Sequence, residues 1–392
     1  MQLGNVQIIS REDKRALIAE CKTDLATKQI FFAVEQKNQQ YLDDKSADAF
    51  VLAALIPAML AGEDLEVDWP MSEQFKYNLE TYLIPWLLKV NKNLSPSQIV
   101  PKQGFTQYQY DSKGSGTGIS CGIDSFYTVL KLTQPNVPEE LRLTHTILNQ
   151  HVFKDSFDTA DPLEIPLKDQ KRQQVSQQLG LASIYVWTNV DQFISLPFEQ
   201  IGTFHDLAVA LSLKKLLRRY SYATADPWTE FEMTFDYSQG YDFLNASAIR
   251  TESFQMHSHG VHETRMDKTE YLANQPIVRQ HLNVCLHQDH DGPVVNCTNC
   301  EKCIRTATAL DSLGVLPAFN QVFDLDYFHR NRARLYGEVV YRAIINRNVF
   351  DRSILKKAKL CHQSLPLSRY YWMMQLGTRH QLAKLMKKTS LI

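Results

Sequence analysis

Cys285, Cys297, Cys300 and Cys303 constrain this chain more than any other feature, since a fold that keeps them must bring four thiols to one point. Three of them are separated by two-residue gaps, and the fourth arrives from the preceding segment. Thiolates bind Zn²⁺ at about 2.3 Å, and two-residue gaps let one turn wrap three of them round an ion. The spacing predicts a four-thiolate zinc site within a segment spanning 285–303. Such a closed set has no coordination position left for water, so its expected role is structural. An iron–sulfur cluster and four unpaired buried thiols are the alternatives. His287 and His290 stand near enough in sequence to replace a cysteine, and His257, His259 and His262 make a second metal-like spacing on the polar stretch FQMHSHGVHETR. The total of seven cysteines is odd, with Cys21, Cys121 and Cys361 outside the cluster. In a reducing compartment that pattern favours metal ligation over a disulfide framework.

The rest of the chain reads as a globular protein of 392 residues, long enough for two or three domains. Its opening, MQLGNVQIISREDKR, lacks the features of a secretory signal. The longest apolar run, 49–61, carries Pro57 and is shorter than the roughly 20 residues a bilayer requires. A cytoplasmic protein with no membrane span is expected. Residues 1–104 read as an α+β N-terminal domain with strands at 5–10 and 29–35, a buried helix at 47–61, and a second helix capped by Ser72 and kinked at Pro85. From 105 to 315, apolar runs at 116–120, 143–149, 183–188 and 220–224 alternate with helical stretches at 125–132, 168–179 and 204–218, the pattern of parallel βαβ units. The expected class is therefore α/β. Residues 316–392 read as a helical extension. From 329 onward, fourteen Lys and Arg face only Glu338 and Asp351, giving +12, while positions 1–328 carry 28 basic and 41 acidic residues, giving −13. Nucleic acid, an acidic protein partner and the acidic remainder of the chain are all candidates to meet that basic stretch.

The segment GSGTGISCGIDS, residues 114–125, sets a Gly- and Ser-rich turn between a strand and a helix. Small residues let backbone N–H groups converge on an anion, hydroxyls add donors, and the helix N-terminus turns its positive end to the same place. Neither a Walker A loop nor the dinucleotide fingerprint is present.

Ser120-Cys121-Gly122-Ile123-Asp124-Ser125 resembles the S-G-G-x-D-S signature of the PP-loop ATP pyrophosphatases, with Cys121 where the family has its first Gly. The resemblance implies a parallel five-stranded sheet flanked by helices, and cleavage of ATP to AMP and pyrophosphate. It assigns the loop Ser120, Cys121, Gly122, Ile123, Asp124 and Ser125 to the nucleotide, with Asp124 acting through Mg²⁺. Arg265 and Lys268 match the basic residues that face the phosphates in such enzymes. The cysteine run, from Cys285 through Asn296-Cys-Thr-Asn-Cys-Glu-Lys-Cys, is similar to that of the 7-cyano-7-deazaguanine synthases within this group.

That similarity covers about residues 105–315 and implies an adenylating enzyme. A carboxylate, a deazaguanine acid or a related larger acceptor, is activated with loss of pyrophosphate, and ammonia or another nucleophile then displaces AMP. Specialised relatives also resemble components of bacterial antiphage systems. A tRNA-thiolating enzyme and a non-catalytic nucleotide-sensing scaffold are the competing expectations.

Overall fold

The structure, a computed structural model, describes residues 1–378 apart from 24–25, 161–162, 194–195, 235 and 288–293. The chain divides into two compact units, one of Met1–Ile119 with Thr128–His262 and the other of Ser120–Tyr127 with Glu263–Ile392.

The first unit is built on a ten-stranded mixed sheet. In chain order the strands are β1 (Gln2–Arg11), β2 (Lys14–Lys22), β3 (Thr27–Glu35), β4 (Leu65–Asp68), β5 (Ile99–Pro101), β6 (Gly114–Gly118), β7 (His145–His151), β8 (Ala182–Thr188), β9 (Leu217–Ala223) and β10 (Gln255–His259). Across the sheet they run β10-β9-β6-β7-β8-β3-β2-β1-β4-β5. Each neighbouring pair from β10 to β8 is parallel. The sheet carries more strands than the parallel pattern of 105–315 foretold, because the N-terminal meander extends it.

β3 joins β8 in antiparallel fashion through Phe32 with Thr188 and Ala33 with Trp187. So short a ladder is reinforced by Asn189, whose Oδ1 accepts from the Phe31 N–H at 3.0 Å and whose Nδ2 donates to the Gln29 carbonyl at 2.7 Å. Ile30 to Val34 are all buried, as befits a strand covered on both faces. The expected division at residue 104 therefore does not coincide with a boundary between compact units.

Two helices of this unit, α1 (Asp48–Ala61) and, further along the chain, Phe198–Ser212, pack against each other. The α1 start is fixed by Asp48, whose Oδ1 accepts from the Ser72 N–H at 2.9 Å and whose Oδ2 pairs with the buried Lys214 ammonium. Ser72 caps the following helical stretch, its Oγ accepting from the Phe75 N–H at 2.9 Å. The kink expected at Pro85 takes the form of a π-turn, Leu79–Leu83, just before it. Widening that turn accommodates a ring that would otherwise meet the carbonyl four residues back.

The parallel order reverses at β6, with β7 and β8 to one side and β9 and β10 to the other. β6 must be glycine-rich to lie there: a Cβ on Gly114 would stand 2.5 Å from the Leu216 carbonyl oxygen. From β6 the chain enters the Ser120–Gly122 turn and then α2 (Ile123–Leu132).

The second unit contains the first turn of α2, then α3 (Arg265–Leu272), the cysteine segment, α4 (Glu301–Ser312), α5 (Leu325–Ile344) and α6 (Val349–Leu360). The last three pack pairwise and bury Ile304, Leu335, Tyr336 and Ile354. Arg305 and Arg342 both pair with the fully buried Asp351 at 3.0 Å. Arg332 meets Asp311 at 2.9 Å, Arg334 meets Glu338 at 2.5 Å, and Lys357 meets Glu270 at 2.5 Å. Arg305 aside, these are cations of the basic stretch, and acids of their own unit balance them. The cysteine segment and the C-terminal helices share that unit, so the expected division at 315 is not one between compact units either.

A further helix, 369–378, crosses α5 at Gly337, where a Cβ would lie 2.5 Å from that of Trp372. Among the described residues, no helix is long and apolar enough to cross a membrane.

Candidate functional site

The Ser120–Ser125 turn is held by its own hydroxyls. The Gly122 N–H donates to Ser120 Oγ at 3.3 Å, the Ser120 N–H donates to Ser125 Oγ at 3.3 Å, and Ser125 Oγ donates to the Gly122 carbonyl at 3.2 Å. The two hydroxyl oxygens lie 3.1 Å apart. Cys121 adopts φ +61°, the left-handed backbone for which Gly is the usual choice, and its side chain is buried. The cysteine therefore takes a backbone conformation that glycine adopts more readily.

Asp124, in the first turn of α2, receives two cations. Arg265 Nη2 donates to Oδ2 at 2.7 Å, and Lys268 Nζ donates to Oδ1 at 3.2 Å. Both come from α3, whose start is fixed by a capping box between Thr264 and Asp267. Positions 265 and 268 are one turn apart and so lie on the same helix face. Lys268 is fully buried and sits 5.9 Å from the Tyr127 ring centre, while the Arg265 guanidinium lies over Phe350 at 4.6 Å. Burial, followed by the nearby Glu263 carboxylate, pushes the Tyr127 phenol up to about 12, so it stays protonated beside the lysine at neutral pH. Ser120, Asp124, Ser125, Arg265 and Lys268 all belong to one compact unit.

The four cysteines also come together. The Sγ atoms of Cys285, Cys297, Cys300 and Cys303 all lie within 4.8 Å of one another, with Cys297 and Cys303 at 3.9 Å. Tetrahedral thiolates at about 2.3 Å from an ion would stand roughly 3.8 Å apart, so the set fits a zinc-sized metal. Thr298 takes φ +57° in the turn after Cys297, and the Cys300 N–H donates to Cys297 Sγ at 3.2 Å. A hydrogen bond from Cys303 pulls the Cys300 thiol down to about 4, and that same bond, followed by burial, pushes Cys303 up. Asn296 locks the segment: its Nδ2 donates to the Leu282 and Val322 carbonyls at 2.8 and 2.9 Å, and its Oδ1 accepts from the Val284 N–H at 2.8 Å.

The two clusters are joined by one hydrogen bond. The Asn283 N–H, two residues before Cys285, donates to the Cys121 carbonyl at 2.9 Å. A metal that fixes the cysteine segment therefore also supports the turn that Cys121 shapes.

The histidine expectations fare differently. The His287 carbonyl, and not its ring, meets the cluster, accepting from Cys285 Sγ at 3.3 Å, and His290 lies outside the described residues. His257 and His259 fall on β10, and no metal-like group containing them is found among the described residues. A different group, His151, Asp191 and His205, was missed. Its members come from three separate elements, so no local spacing marks them in the sequence. No protein-family model matches the chain, and no curated protein matches it significantly.

Proposed function

We propose that the protein is an ATP-dependent adenylating enzyme of the PP-loop pyrophosphatase type, most similar in its motifs to 7-cyano-7-deazaguanine synthases. The observation that supports this most is the Ser120–Ser125 turn, which follows the strand where the parallel order reverses and holds Asp124 against Arg265 and Lys268. In open α/β sheets, ligands favour the carboxyl ends of strands at such a reversal. The strand order β8-β7-β6-β9-β10 is also the 3-2-1-4-5 order of a doubly wound five-stranded core.

On this reading the hydroxyls of Ser120 and Ser125 and the backbone at Gly122 bind the phosphates. The acceptor carboxylate attacks the α-phosphorus, the bond to the bridging oxygen breaks, and pyrophosphate leaves. Arg265 and Lys268 stabilise the charge that grows on it, most strongly because Lys268 is shielded from water. Asp124 is the residue that would hold Mg²⁺, which neutralises phosphate charge when bound. Ammonia or a related nucleophile then attacks the acyl adenylate and AMP departs. Cys121 is buried and the other cysteines of this unit's cluster are committed to one another, which disfavours a sulfur-transfer role.

Calorimetry with ATP and Mg²⁺ on the natural protein and on Asp124→Ala tests the reading, together with nucleotide analysis after incubation with deazaguanine acids. Binding weakened at least about tenfold in the variant, with AMP and pyrophosphate formed only when an acid is present, is the expected result. Binding without turnover would assign a sensing role instead, and no binding in either protein would overturn both.

A further inference from the structure

His151, Asp191 and His205 lie wholly within the first unit, apart from the loop and the cysteines. His151 ends β7, Asp191 lies in the short helix Val190–Phe193 just after β8, and His205 lies in the helix Phe198–Ser212. β7 and β8 are parallel and pair His151 with Thr188, so two of the three residues sit at the carboxyl ends of adjacent strands. α/β sheets commonly build their sites at such ends.

The three residues converge without satisfying one another. One ligand atom from each can be chosen so that all three lie within 4.8 Å. His151 Nδ1 stands 3.1 Å from Asp191 Oδ2, and His205 Nδ1 is in contact with Asp191 Oδ1. Yet His151 Nδ1, Asp191 Oδ1 and both ring nitrogens of His205 are buried and make no hydrogen bond of acceptable direction among the described residues. The His205 side chain is only 1% exposed, so water does not serve it freely. Buried polar atoms without a hydrogen-bond partner are rare in folded proteins, and one from each of these three residues converges on a common point. Two imidazole nitrogens and a carboxylate oxygen around one point can all turn lone pairs to it, an arrangement that suits a cation.

A second carboxylate strengthens the point. Asp206 follows His205 in the same helix, and its Oδ1 accepts from Asn149 Nδ2 at 2.7 Å. Asn149 and His151 are two apart on β7 and so share a face, which ties that face to the helix carrying His205.

We propose that His151, Asp191 and His205 bind a divalent transition-metal ion such as Zn²⁺, at a site separate from the four cysteines. Two imidazoles and one carboxylate match borderline metals better than Mg²⁺ or Ca²⁺, which prefer all-oxygen sets. Three protein ligands leave at least one coordination position for water or a substrate atom, unlike the closed thiolate set. Of the three, His151 also lines a cleft of about 580 Å³ together with Lys154, Glu164, Gln170 and Trp187.

The test uses the full chain loaded with Zn²⁺, dialysed against metal-free buffer and analysed for metal. About two zinc ions per chain are expected in the natural protein, about one in Asp191→Asn and His151→Gln, and about one in Cys300→Ser. The zinc kept by the first two variants reports that their cysteine unit is folded. His151→Gln sits at a half-buried position, so it repeats the test where Asp191→Asn disturbs folding. Co²⁺ exchanged into the natural protein adds a readout independent of any variant. The thiolate site gives an intense sulfur-to-metal absorption, and the proposed site gives a weaker ligand-field spectrum without it. One zinc per natural chain, two in both variants, or only thiolate-type cobalt spectra at saturation would each overturn the proposal.

Discussion

At the scale of single residues, Cys121 carries two opposed effects. The left-handed backbone at φ +61° costs an L-residue about 1–2 kcal/mol, while burying a small thiol returns a similar amount. Cys121→Gly is therefore expected to change stability by less than about 1 kcal/mol. Cys121→Val places a β-branched side chain in the same conformation and is expected to cost about 2 kcal/mol or more. Denaturant titration of the two variants measures the difference, and equal stabilities would mean that the turn is not held at this backbone angle. Lys214 gives a pH signature. Burial opposes its charge, but Asp48 and Asp43 outweigh that and hold the ammonium up at about 12 from an ordinary 10.5. Since the folded value lies above the unfolded one, the stabilisation is complete below pH 10.5 and is lost as pH rises through about 12. A stability profile of the natural protein against Lys214→Met should show a gap at neutral pH that narrows over that window; a constant gap would deny the linkage. Sequence could single out Asp124 through the S-G-G-x-D-S resemblance, and Arg265 and Lys268 as cations in the stretch TRMDKT. It could not show that both cations close on one carboxylate, which depends on α3 docking beside the turn.

Among elements, the crossing of α5 by helix 369–378 depends on an absent side chain. A methyl at Gly337 would meet Trp372 Cβ at 2.5 Å and the Arg369 carbonyl at 2.9 Å. Gly337→Ala is expected to force the helices apart at a cost of about 1–3 kcal/mol. Limited proteolysis should then cut the 361–368 connection first, and an unchanged digestion pattern would show that the helices adjust in place. Burial explains which strands could be read in advance. β7 and β8 bury consecutive apolar residues and announce themselves. β10 has only Met256 buried among polar neighbours, so QMHSH reads as a loop although it edges the sheet. The β3–β8 join rests on two residue pairs and on Asn189, and hydrophobic period carries no record of which strands will pair.

For the whole molecule, the firmest expectation from sequence is the cysteine cluster, because its spacing is local and its chemistry narrow. Cys300→Ser is expected to lower zinc at that site below half an equivalent and to destabilise the second unit by about 2 kcal/mol or more. Elemental analysis with thermal unfolding checks both, and full stability without the metal would make the cluster incidental to folding. The α/β class was legible too, but the compact units were not, since they follow contacts and not the order of the chain. That order has one more consequence. Ser120–Tyr127 belongs with residues beyond 262, so the chain leaves the first unit, returns to it, and leaves again. Neither unit can be lifted out as a contiguous gene cassette. Recombination at a single crossover near residue 262 would part Asp124 from Arg265 and Lys268, so this pairing can be inherited only whole.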